Sequence, residues 1–113
     1  MQQAFDAGAL ARLSDEVGEA EATAFVLTFS DMLDGRLARI ERAHPQDDLE
    51  EWRSAVVGLG ASAGMAGAQR LEQTCAELLA ADPTDMYALD NLKAHLRADG
   101  RIFALAIQSF RTP

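Results

Sequence analysis

From Glu51 to Leu79 the chain reads EWRSAVVGLGASAGMAGAQRLEQTCAELL, and this stretch restricts the fold more than any other. Trp52, Ala55, Val56, Leu59 and Ala63 recur at helical spacing and form one apolar stripe. Ser54, Val57, Ala61 and Gly64 fall on the opposite face. At ~100° per residue, Val57 lies about 140° around the helix from Trp52. A β-branched apolar residue therefore stands where an exposed polar one is expected. Gly58, Gly60, Gly64 and Gly67 crowd the same segment, which is poor helix chemistry on its own. The pattern predicts a helix approached closely by another backbone, then a break or kink near Ala63 to Ala66. A further helix is expected from about Ala66 to Ala80, with Ala68, Leu71, Cys75, Leu78 and Leu79 inward.

The flanking segments are also helical. Asp6 is placed to cap a short first helix carrying Leu10, Leu13 and Val17, closed by Gly18. Glu19 to Ala43 carries a wide apolar stripe of Ala22, Phe25, Val26, Phe29, Met32, Leu33, Leu37 and Ile40. Gly35 sits inside that helix at a cost of ~1 kcal/mol against alanine. Arg36, Arg39 and Arg42 load its C-terminal end, which suits the helix dipole. His44-Pro45 stops it. Asp47 or Asp48 caps the next helix. Asp82-Pro83-Thr84 is a stop followed by a fresh cap, with Asp85 as the first helical residue. The last helix runs to about Phe110, with Leu89, Leu92, Leu96, Phe103, Ala106 and Phe110 along its seam and Gly100 interrupting it. The fold class expected is all-α: an up-and-down antiparallel four-helix bundle with a short extra N-terminal helix across one end. One domain over residues 1–113 is expected, because no linker, repeat or low-complexity run appears.

Charge narrows the partners. The formal charge is −8. Residues 1–52 hold 12 acids against 4 bases, whereas residues 53–113 hold 6 of each. An acidic chain repels phosphate backbones, so no nucleic-acid partner is expected. No run approaches the ~20 apolar residues needed to span a bilayer, and the start of the chain has no signal-peptide pattern. The lone Cys75 reads as a buried core thiol in a reducing cytoplasm. His44, His95 and Cys75 are too scattered for a metal site, and no cofactor is implied. Asp15-Glu16, Asp47-Asp48 and Glu50-Glu51 read as caps and dipole complements rather than acid/base pairs.

Gly67-Ala68-Gln69-Arg70-Leu71, with Leu59 and Ser62-Ala63 upstream, resembles the motif of the histidine-containing phosphotransfer (HPt) domain of bacterial phosphorelays. In that family it reads His-x-Leu-Lys-Gly-Ser-Ser/Ala, then Gly-Ala-x-x-Leu. Phe5-Asp6, Leu10, Leu13, Gly18 and Phe29 extend the resemblance over nearly the whole chain. It implies a receiver domain or histidine kinase as partner. It aligns Val57 with the phosphoacceptor histidine, Gly60 with the lysine and Ala61 with the following glycine. Valine has no nucleophile and Gly60 no charge, so no catalytic residue is expected. Ala61 adds only a methyl group, which leaves docking possible. The expected partner-binding face is Arg53, Ser54, Val57, Gly58, Gly60, Ala61 and Gly64, on a monomer or weak dimer. Two other readings stay open at this point: phosphotransfer through His44 or His95, and a helical oligomerisation module outside signalling.

Overall fold

The computed structural model describes residues 5–111, with side chains through Gln108. Five helices follow one another: α1 Ala7–Val17, α2 Glu19–Arg42, α3 Leu49–Ala66, α4 Gln69–Ala80 and α5 Met86–Arg111. The chain is an all-α bundle: α2 to α5 form an up-and-down antiparallel four-helix bundle, and α1 is the short extra helix. Each bundle helix touches two neighbours, in the ring α2–α3–α4–α5–α2, while α1 lies outside against α2 and α3.

The caps follow from local chemistry. The Asp6 carboxylate accepts from the Gly8 amide at 2.9 Å, and Asp48 accepts from the Glu51 amide at 3.0 Å. Gly18 alone joins α1 to α2, at φ 95° and ψ 155°, a conformation essentially reserved for glycine. The cap of α5 lies one residue later than the sequence suggested. Asp85 accepts from the Ala88 amide at 3.1 Å, because the Thr84 hydroxyl donates to Asp82 Oδ1 at 2.8 Å instead.

No break occurs between Ala63 and Ala66. Gly58, Gly60 and Gly64 stay inside α3, which ends only at Gly67. There the backbone turns left-handed (φ 80°), and the Ala68 amide donates to the Ala63 carbonyl at 2.8 Å, closing a Schellman motif. α4 accordingly starts at Gln69, later than expected, and α5 runs unbroken through Gly100.

The core is one cluster centred on Val26, Phe29, Leu37, Leu59, Leu71, Leu96 and Phe103. Three residues expected inside are exposed: Val17, Met32 and Leu79. α1 is covered on one side only, so Ala9 and Leu13 fill its narrow buried stripe. Met32 and Leu79 each follow or precede the true inward residue, Leu33 or Leu78, by ~100° of rotation. Along α5 the buried residues are Leu89, Lys93, Leu96, Gly100, Phe103 and Ile107, a strict alternation of four and three. Leu92 and Ala106 are only half-buried. The expected seam residue Phe110 lies outside the described side chains.

Two positions inside that seam are not apolar, and each has a partner. Lys93 Nζ lies 5.2 Å from the Trp52 ring centroid and donates to the Ala43 carbonyl at 3.2 Å. It thereby satisfies an open carbonyl at the end of α2. At Gly100 a Cβ would sit 2.8 Å from Leu37 Cδ1, so α5 approaches α2 more closely there than any other residue would allow.

Arg97 reaches from α5 to α2, donating to Asp34 at 2.8 Å and to Glu41 at 2.5 and 3.1 Å. The hydrogen bond from Arg97 holds the Glu41 carboxyl below its ordinary value, against the opposing effect of burial. A carboxylate lowered in the folded state stabilises it above the ordinary range, roughly pH 4.3. That contribution is lost as the pH falls through the lowered value. Glu41→Gln therefore flattens the acid limb of a stability-versus-pH curve. An acid limb unchanged from wild type would show that the pair contributes nothing.

Gly67 and Gly35 make opposite predictions for the same substitution. A Cβ at Gly67 would lie 2.7 Å from the Asp6 carbonyl oxygen and 3.2 Å from Ala9 Cβ, in a left-handed conformation. The Asp6 amide also donates to the Gly67 carbonyl at 2.7 Å, so this turn anchors α1. Gly67→Ala costs about 1–2 kcal/mol through the left-handed conformation alone, and the contacts with Asp6 and Ala9 add to it. It also speeds hydrogen exchange in α1. At Gly35 nothing lies within 4 Å, and Gly35→Ala stabilises by about 0.5–1 kcal/mol. Denaturant titration of both variants reads the two signs directly.

Candidate functional site

The outer face of α3 is built by Arg53, Ser54, Val57 and Ala61, all exposed. Positions 53, 57 and 61 are successive i, i+4 neighbours, and Ser54 lies beside them. Val57 is 53% exposed, which is unusual for a β-branched apolar residue in a helix and agrees with its rotation from Trp52. The apolar strip continues through Ala61 to Met65, 51% exposed, eight residues on. Met65 in turn borders a shallow cleft of about 390 Å³ shared with Leu13, Val17, Ala24, Phe25 and Thr28 of α1 and α2.

The three glycines of the expected face are not open surface. Each is half-buried and faces a neighbouring helix. A Cβ on Gly58 would lie 3.5 Å from Arg36 Nη2 of α2. One on Gly60 would lie 3.2 Å from Cys75 Cβ of α4. One on Gly64 would meet the Glu72 carboxylate, with Cδ at 3.1 Å. Their smallness lets α2 and α4 close on α3 from both sides, and this leaves Val57 and Ala61 on the ridge between them.

Arg36 is the residue that sequence reasoning missed at this face. Its position near the C-terminal end of α2 marks it only as a dipole complement, although its place one turn before Arg39 is a usable signal. Arg39 binds Glu51 of α3, so the same edge of α2 faces α3 along its length. Arg36, one turn earlier, consequently lies over Gly58.

The remaining reactive groups are elsewhere or inert. Cys75 is buried, and its thiol is pushed up to about 12, chiefly by burial. His44 sits in the α2–α3 loop and His95 on α5; both are exposed and neither is near Val57 in the chain. Among the described residues no group of three His, Cys, Asp or Glu side chains is arranged to hold a metal. A cleft of about 870 Å³ lies between α2 and α5 over Leu33, Leu37 and Gly100 and includes none of the face residues. Among the described residues no helix is long and apolar enough to cross a membrane.

A family model described as the Hpt domain matches residues 24–99, which spans α3, α4 and most of α2 and α5. The chain belongs to the Hpt domain family. No curated protein and no solved structure matches it. Hpt domains are phosphotransfer carriers rather than catalysts and interact with response regulators or kinases in phosphorelays. A phosphotransfer-related signalling role follows for this chain, and its five-helix architecture is that of the family.

Proposed function

We propose that this Hpt domain binds a receiver domain or a histidine kinase through the outer face of α3 without accepting a phosphoryl group. The observation that carries the reading is Val57: a solvent-facing aliphatic side chain at the position the motif aligns with the acceptor. No nucleophile on the same ridge replaces it, because its neighbours there are Arg53, Ala61 and the hydroxyl of Ser54. A serine hydroxyl needs a hydrogen-bonded base to act as a nucleophile, and Ser54 has no such hydrogen bond among the described residues. A smooth apolar strip flanked by polar groups is the surface type that marks protein contacts. The domain then works as an adaptor or a sequestering competitor.

The test is a phosphotransfer assay against phosphorylated receivers and autophosphorylated kinases from the same organism, run beside a binding titration. Binding with no acid-labile label on the chain is the expected result. Acid-labile label on the wild-type chain would overturn the reading.

A further inference from the structure

The ridge carries more charge information than its valine. Arg53 flanks Val57 one turn before it, on the α4 side of the ridge. Arg36 comes from α2 on the other side, with Nη2 3.5 Å from the Cβ position of Gly58. Neither guanidinium makes a hydrogen bond or ion pair among the described residues, whereas Arg12, Arg39 and Arg97 are all paired with carboxylates. The positive field of Arg36 is felt even at Cys75, where it acts against the dominant effect of burial. Two unpaired cations thus bracket an unreactive side chain in a chain of formal charge −8. The acids nearest the ridge are Glu50, one turn before Ser54, and Glu72 over Gly64. They confine the cationic stretch to the turn around Val57.

Guanidinium groups bind anionic oxygens through charge-assisted, often bidentate hydrogen bonds. Flanking a valine, they hold a dianion that has nothing to react with. We infer that Arg36 and Arg53 make this face a reader of phosphorylation state, binding the aspartyl-phosphate form of a receiver in preference to the unmodified form and leaving the phosphoryl group in place. The inference rests on the docking reading above and adds the partner's state. The occupant is the phosphorylated receiver because charge complementarity favours it: phosphorylation replaces the single charge of the receiver's aspartate with a phosphoryl dianion, which meets two cations that lack an internal partner. Gly60 contributes no cation, so the positive charge arrives from Arg36 of α2 and from Arg53, one turn before Val57 on α3.

The experiment titrates the intact chain with receiver domains from the same organism, each with and without beryllofluoride, a stable mimic of aspartyl phosphate. The wild type binds the beryllofluoride form at least about tenfold more tightly, the size expected of charge-assisted hydrogen bonds. Arg36→Gln and Arg53→Gln each reduce that preference, read as the ratio of the affinities for the two forms, so that any change in basal docking cancels. Arg36→Lys keeps part of it, and Arg42→Gln, with the same change in net charge on an exposed residue of α2, keeps all of it. Equal affinity for the two forms, or a preference that survives in the double Arg36→Gln/Arg53→Gln variant, overturns the inference while the docking reading stands. Binding to neither form of any receiver overturns the inference, and absence of kinase binding in the preceding titration as well overturns the docking reading. Inorganic phosphate titrated alone gives no saturable signal; saturable binding would make this a small-anion site and overturn the assignment to a receiver.

Discussion

Val57→His gains acid-labile phosphoryl label from phosphorylated receivers, which on the proposed function the wild-type chain does not take. The imidazole replaces a side chain 53% exposed on the ridge of α3, with Arg53, Ser54 and Ala61 beside it on the helix face, so its ring nitrogen is accessible. The transfer breaks the P–O bond of the receiver's aspartyl phosphate, forms an N–P bond to the ring and returns the aspartate as a carboxylate. The surface exchange changes stability by less than about 0.5 kcal/mol, since both residues have similar helix propensity. Arg36 supplies positive charge at the new phosphohistidine, so Arg36→Gln in the Val57→His background lowers the rate about tenfold, the worth of one charge-assisted contact. The readout is acid-labile label after incubation with phosphorylated receivers. A folded variant that binds receivers yet stays unlabelled would mean that position 57 is not the acceptor position.

Phe103→Ala removes about 3–5 kcal/mol of the stability of the domain. The Phe103 ring is 1% exposed and packs edge-to-face against Phe29 at 5.5 Å and Phe5 at 6.2 Å. It joins α5 to α2 and to the segment that leads into α1. Truncating a buried phenylalanine costs about 3–5 kcal/mol from lost transfer energy and the cavity left behind. Domains of this size have only about 5–15 kcal/mol in total. At roughly 4 °C per kcal/mol the melting temperature falls by about 15 °C. Phe103→Leu keeps much of the volume and costs less than half as much. Denaturant and thermal unfolding measure both. A loss below about 1.5 kcal/mol for the alanine variant would mean that Phe103 is not a central packing residue.

The two predictions separate cleanly because the ridge and the core lie on opposite faces of α3. Val57→His leaves the unfolding midpoint in place and changes chemistry. Phe103→Ala leaves the ridge residues in place and changes stability.

The helices, their caps at Asp6 and Asp48, the stop at His44-Pro45 and the outward rotation of Val57 were legible in the sequence. Each depends on spacing or on residues adjacent in the chain. So was the family, because Gly67-Ala68-x-x-Leu71 is a local motif whose glycine is required by the left-handed turn it makes. The seam of α5 was read partly out of register. Its apolar residues drew the stripe toward Leu92 and Ala106, while the buried line runs through Lys93 and Gly100. A lysine is buried there because the carbonyl end of α2 and the Trp52 ring receive it, and both belong to other helices. The glycines of α3 likewise looked like a break, since propensity sees only their cost. What they permit, the close approach of α2 at Gly58 and of α4 at Gly60 and Gly64, exists only once those helices are in place. Arg36 joined the candidate site for the same reason. The sequence determined what each helix is and which way it faces; only the packing decided which side chains of different helices meet, because such contacts depend on inter-helix distances that no local pattern encodes.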